Sequence, residues 1–252
     1  MFNQGRYIVG ASIQNMDGPF AEPTNTREAI LGAAFRALRK HGYASVTIQR
    51  IGDEFDKSPS LVYHHYDGKD DLLVDLMGFL LDEFEASISD SGDPPPVSGG
   101  DSQPAAEAPP ERSARDELDI YLTAAVDPAS LDGAYAPDAQ FVTVMTELRA
   151  QAANDEAYRE HFDRSDRVFG EYLERLVREA AAETEAPDGH AAGASPPSVP
   201  VEEVVATLQT FATGGMFRWT TTNGGAWVDD SRAGIDGYLE RVLPLVETDE
   251  AD

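Results

Sequence analysis

Two short apolar segments meet at Phe55, Asp56 and Lys57, and their spacing points to the chemistry of nucleic-acid recognition. Thr47 supplies a hydroxyl cap before Ile48 and Ile51, so a short helix is expected to open there and end near Phe55. Ser58 caps the next one, with Pro59 at the first helical position, where a missing N–H costs nothing. Two such helices across a three-residue turn are a helix-turn-helix, and the second, ending near His64, is short enough to lie in a DNA major groove ~12 Å wide. A second constellation, Glu160, His161, Asp163 and Asp166, has near-helical spacings that suit a metal site or general acid–base chemistry. Solvated helix faces produce the same pattern in an acid-rich chain.

From Thr26 to Leu73 the runs AILGAAFRALRKHGY, SVTIQRIGDEF and SLVYHHYDGKDDLL make this stretch resemble the TetR-type (TetR/AcrR) transcriptional regulators. Tyr63, His64, His65 and Tyr66, followed by Lys69, Leu72 and Leu73, are its most diagnostic part. The resemblance implies that Thr47 and Gln49 touch the phosphate backbone or a base edge, and glutamine can pair bidentately with adenine. It also implies that Ser58, Ser60, Leu61 and His64 belong to the recognition helix, and that Tyr63 and Lys69 hold phosphates. Where relatives often carry Ala-Gly-Val at the turn, this chain has Phe55, Asp56 and Lys57; Pro59 replaces a common lysine and Gly52 a usual alanine. Base contacts therefore do not carry over one for one.

The rest of the chain must position that segment, and its charge is adverse. Among 252 residues, 46 Asp and Glu against 19 Lys and Arg give a net charge of -27, with 41% hydrophobic residues. A polyanion such as DNA or an anionic membrane is repelled by that averaged field. Residues 26–73 escape it: Arg27, Arg36, Arg39, Lys40, Arg50, Lys57 and Lys69 balance Glu28, Asp53, Glu54, Asp56, Asp67, Asp70 and Asp71, and all the chain's lysines lie here. Lysine scarcity with dispersed acids reads as adaptation to molar salt, hence a halophilic source, because repulsion among carboxylates is tolerable where the Debye length is ~3 Å. The absence of cysteine excludes disulfides and thiolate chemistry. With no signal-like start and no long apolar run, a cytoplasmic location is expected.

Hydrophobic periodicity gives an all-α fold: an N-terminal three-helix DNA-binding domain, then a larger helical regulatory and dimerisation domain. The expected boundaries are an N-terminal extension at 1–22 without order, a DNA-binding domain at 23–73 with its helix-turn-helix at about 47–66, and a helical domain at 74–252. Pro-rich stretches at 89–114 and 183–200 read as linkers too poor in apolar residues to offset ordering. Met145 to Arg164 resembles, more loosely, the regulatory part of the TetR branch that includes regulators of choline and multidrug responses. That resemblance implies a small-molecule pocket, with Tyr121, Phe141, Met145, Phe169, Tyr172 and Phe211 as candidates, and a homodimer built on the last two helices. The expected function is a ligand-responsive dimeric repressor on double-stranded operator DNA, with an unknown small-molecule effector, no enzymatic activity and no cofactor. The alternatives are a carboxylate- or metal-dependent enzyme and an all-α oligomerisation module without DNA binding.

Overall fold

A computed structural model describes residues 20, 22–55, 60–89, 113–131, 139–183, 199–223 and 225–243, and these residues are helical with no strand among them. Helix α1 (Thr26–His41) starts where the Asn25 side chain accepts from the Glu28 N–H at 2.9 Å. Its buried face is Ile30, Leu31, Ala33, Ala34, Ala37 and Leu38, and each large aliphatic side chain so buried stabilises by roughly 1.5–3 kcal/mol. It stops at Gly42, whose φ of 71° no β-carbon-bearing residue adopts cheaply; with ψ at 166° the chain leaves extended rather than as a left-handed turn.

Helices α2 (Ile48–Asp53) and α3 (Ser60–His65) follow, and Thr47 caps α2 by accepting from the Arg50 N–H at 3.2 Å. Ser58 lies outside the described residues, so its capping role does too. Helix α4 (Lys69–Ser89) runs unbroken across the expected domain boundary at 73/74. The remaining helices are α5 (Ala114–Val126), opened by a capping box between Ser113 and Asp116, α6 (Ala139–Gln151), α7 (Glu156–Glu183), α8 (Val201–Thr221) and α9 (Ala226–Val242).

Two hydrophobic cores result. The first joins α1–α3 and the start of α4 to Val144 and Leu148 of α6 and Tyr158 and Phe162 of α7. The second gathers α5, the later turns of α7, α8 and α9 around Leu118, Leu122, Leu173, Leu176, Val204, Leu208 and Leu239. Phe20, within the stretch 1–22 expected to lack order, is 3% exposed and stacks on Phe79 with ring centroids 5.1 Å apart; residues 1–19 and 21 lie outside the described residues. Gly32 makes the room, since a β-carbon there would stand 2.9 Å from the Phe20 β-carbon. The expected linker interiors, 90–112 and 184–198, lie outside the described residues.

Adjacent glycines of α8 have opposite surroundings, which yields a paired prediction. A β-carbon on Gly215 would sit 2.7 Å from Val126 Cγ2 and 3.1 Å from the Ala125 carbonyl oxygen, whereas nothing lies within 4 Å of one on Gly214. Gly215→Ala should cost about 1–3 kcal/mol by forcing α5 and α8 apart. Gly214→Ala should be neutral or stabilising by up to about 1 kcal/mol through helix propensity. Urea midpoints of the two variants check this; equal midpoints would remove the close approach as its cause.

Candidate nucleic-acid interface

Packing of α2 and α3 on α1 decides which of their residues reach solvent. Ile51 and Val62 are fully buried, which leaves Thr47, Gln49 and Arg50 of the first helix and Ser60, Tyr63, His64 and His65 of the second exposed. Tyr63, at 65% exposure, is a large apolar ring held in water. Leu61 is half-buried against the core, so it offers less of its side chain to a groove than its exposed neighbours on α3. Lys69 is also half-buried and folds back: its ammonium stands 4.0 Å from the Tyr43 ring centroid and donates to the Tyr43 carbonyl at 3.3 Å. Phosphate contact by Lys69 would draw on a side chain already engaged. Arg50, which the sequence reading left without a role, projects beside Gln49 with its guanidinium donating to the Ser45 carbonyl at 2.5 Å; its place one residue after Gln49 was the available signal.

Arg27, Arg36 and Lys40 of this segment brace it. Arg27 makes a bidentate pair with Asp75 at 2.8 and 2.5 Å, and the Tyr66 hydroxyl donates to the same carboxylate at 2.6 Å. Burial works to raise the Asp75 pKa, but the hydrogen bonds from Arg27 and Tyr66 outweigh it and hold the group below the usual aspartate range. Lys40 pairs with Glu54 at 2.6 Å, and Arg36 donates to the Glu54 carbonyl at 2.9 Å. These contacts set the angle between α1, the helix-turn-helix and α4, and leave few cations for phosphates.

The six expected pocket residues do not converge. Phe141 and Met145 pack on the first core, where Phe141 meets Phe35 with ring centroids 6.4 Å apart. Phe211 stands edge-on to Tyr238 at 5.6 Å. Tyr121, Phe169 and Tyr172 do come together: Phe84 of α4 meets Phe169 at 4.7 Å and Tyr172 at 5.5 Å between ring centroids, and Tyr121 meets Phe169 at 6.2 Å. Beside them is Glu117, only 8% exposed, accepting from the Tyr172 hydroxyl at 3.3 Å. Burial pushes the Tyr121 phenol up to about 12. Glu117 was legible in principle, because it lies one turn before Tyr121 on the stripe that continues through Leu118 and Leu122.

The acid–histidine constellation separates in space. Glu160 and Asp163 are exposed, Asp166 is held by Arg149 at 2.9 and 2.6 Å, and no group of three candidate ligands occurs among the described residues. His161 turns inward against Phe162, with ring centroids 5.2 Å apart, and burial together with nearby Arg164 lowers its pKa to about 4. An imidazole neutral in the fold but titrating near ~6.5 when unfolded gives stability that is lost as pH falls from that value toward the folded one. Between pH 7 and 5 the chain should therefore lose more stability than its His161→Gln variant, measured by urea unfolding. Parallel pH curves would rule out this group as an acid-sensitive element.

Comparison with known proteins places this geometry. The family model described as bacterial regulatory proteins, tetR family, matches residues 30–76. The transcriptional repressor AcnR of Corynebacterium glutamicum is 36% identical over 55 residues, covering 22% of this chain and 29% of the repressor. The transcriptional regulator BetI of Brucella anthropi is 39% identical over 68 residues, covering 27% of this chain and 34% of the regulator. The match thus spans about a third of the length of these curated relatives. A crystal structure of a TetR transcription regulator from Haloarcula marismortui superposes with a TM-score of 0.59 and 27% identity, covering 86% of this chain and 97% of that one.

Proposed function

We propose, from the match of residues 30–76 to the tetR family model and the likeness to the Haloarcula marismortui regulator, that this chain is a TetR-type helix-turn-helix regulator that binds operator DNA as a homodimer and represses transcription until a small molecule releases it. The observation that carries the DNA-binding part is the solvent face of α2 and α3, where Thr47, Gln49, Ser60, Tyr63 and His64 are all exposed while Ile51 and Val62 anchor the helices beneath them. In this reading Gln49, Ser60 and His64 reach base edges, and Thr47, Arg50 and Tyr63 hold the backbone. Lys69 joins the backbone contacts as the resemblance implies, leaving the Tyr43 ring to do so, and Ser58 stands with the recognition helix.

Dimerisation is assigned to α8 and α9. Phe217 is 60% exposed there, and β-carbons on Gly234 and Gly237 would meet open space. A second copy on that face sets two reading heads for half-sites one helical turn apart, ~34 Å. The effector site is assigned to Tyr121, Phe169 and Tyr172 with Glu117, between α4, α5 and α7, because α4 leads from there straight to the head. Regulation of transcription, rather than catalysis, is the activity of the named relatives. No described helix is long and apolar enough to cross a membrane, and the interior of a cell is where operator DNA would be met.

Footprinting of the chain's own upstream region at low and molar salt tests this. A protected near-palindrome is expected, and no protection at either salt would sink the reading. Because Arg27 and Lys40 are spent on internal ion pairs, few phosphates are neutralised. The slope of log K against log salt should then be no steeper than about -4, a slope near -0.9 per phosphate being expected.

A further inference from the structure

The reading head is tied to the rest of the chain at a second place besides α4, and that tie is polar. Asp70, in the first turn of α4, accepts two tyrosine hydroxyls through one oxygen: Tyr43 Oη at 3.0 Å and Tyr158 Oη at 3.0 Å. Tyr43 belongs to the turn between α1 and α2, and Tyr158 to the first turn of α7. The backbone N–H of Tyr43 donates to Glu147 Oε2 of α6 at 2.9 Å. The two rings meet edge-to-face at 6.5 Å, and the Lys69 ammonium covers Tyr43 at 4.0 Å. Tyr158 is 1% exposed, so water does not readily replace its partner. Burial, reinforced by the Asp70 carboxylate, raises the pKa of both phenols, which keeps them donors.

Apolar contacts between the head and α6 or α7, such as those of Val144 and Phe162, tolerate sliding because dispersion has no direction. Hydrogen bonds that one carboxylate accepts from the α1–α2 turn and from α7, and that a second carboxylate accepts from the same turn, do not. We propose that Asp70, Tyr158 and Glu147 are positioning residues that fix the angle of the head on α6 and α7. Movement of those helices then reaches the helix-turn-helix through the α1–α2 turn as well as along α4. The regulatory consequence rests on the function proposed above; the fixing of the angle does not.

The full-length chain has no cysteine, so Asp53→Cys in the head and Glu171→Cys on α7, both exposed positions, accept one nitroxide pair per chain. Labelled chain diluted with unlabelled chain, without DNA, should give one narrow distance distribution by pulsed dipolar spectroscopy. Tyr158→Phe combined with Glu147→Ala, and separately Asp70→Ala, should at least double its width. Asp70→Asn, which keeps a carbonyl oxygen to accept both hydroxyls, should restore the narrow form. On the duplex protected by the unmutated protein, the broadened variants should bind about tenfold more weakly and Asp70→Asn should not.

An unchanged width in the Tyr158→Phe/Glu147→Ala and Asp70→Ala proteins overturns the proposal, as does equal broadening by Asp70→Asn and Asp70→Ala. If Tyr158→Phe/Glu147→Ala fails to fold, Glu147→Ala alone frees the Tyr43 N–H from α6 at a half-buried position, and the same broadening is required of it. Should the unmutated protein protect no DNA at all, the distance measurement still decides the positioning role, and only the regulatory reading fails.

Discussion

Replacing Tyr63 and His64 together by alanine is expected to raise the dissociation constant for operator DNA by about 100-fold or more, each lost contact being worth roughly 1–3 kcal/mol. Stability should stay within about 0.5 kcal/mol of wild type, as for surface substitutions generally. The physical basis is their exposure: Tyr63 is 65% accessible and His64 is exposed, so neither supports the core that Val62 anchors beneath them. Tyr63→Ala alone should weaken binding evenly across operator variants, because a backbone contact positions without reading sequence. His64→Ala should relax the preference at one base pair of each half-site. Fluorescence anisotropy with a panel of single-base operator variants separates the two, and an unchanged dissociation constant for the double variant would remove α3 from the interface.

The largest effect on stability outside the apolar core is expected at Asp75. Asp75→Ala strands both Arg27 and the Tyr66 hydroxyl, whose ring is 7% exposed. A buried hydroxyl left without its acceptor costs about 1–3 kcal/mol. The Arg27 pair adds a smaller amount, since its partners are 46% and 30% exposed and solvent screens them. The sum is roughly 2–4 kcal/mol, read from urea denaturation. Asp75→Asn, which still accepts a hydrogen bond, should lose about half as much. The pH dependence has a definite sign. A carboxyl held below its unfolded value contributes stability above about pH 4 and loses it as pH falls through the folded value. The Asp75→Ala protein should consequently show a shallower acid limb than wild type. A cost under about 0.5 kcal/mol would mean that this network does not brace the head.

Both results depend on features of different legibility. Tyr63 and His64 were visible as part of a run whose spacing places a short helix after a turn, and exposure follows once Val62 is recognised as the buried member. Asp75 was not visible in this sense. It lies 48 residues from Arg27, and no local pattern says which of the many acids beside α4's apolar stripe faces α1. Asp70 makes the same point: its place at the start of α4 says nothing of Tyr43 or of Tyr158, 88 residues away, to which its carboxylate is turned. Lys69, for which a phosphate contact is expected, also covers Tyr43, 26 residues away, which no local pattern shows. The aromatic candidates Phe141 and Phe211 share the helical spacing of Tyr121 and Phe169 but belong to other contacts, because periodicity tells that a residue is inward and not which neighbour it meets.

Local and compositional physics thus determined a good deal: helices from their 3.6-residue period, the Thr47 cap and Gly42 stop from backbone chemistry, and a charge-neutral reading segment within a chain of net charge -27. Each of these depends on residues within a few positions of one another, or on sums over them. The tertiary structure decided what depends on distant partners: the core shared between the head and α6 and α7, the burial of Glu117 beside Tyr172, and the bracing of Arg27 by Asp75. Hydrogen bonds and ion pairs are short-ranged and directional, so only the meeting of particular helix faces could select them from so large a supply of carboxylates.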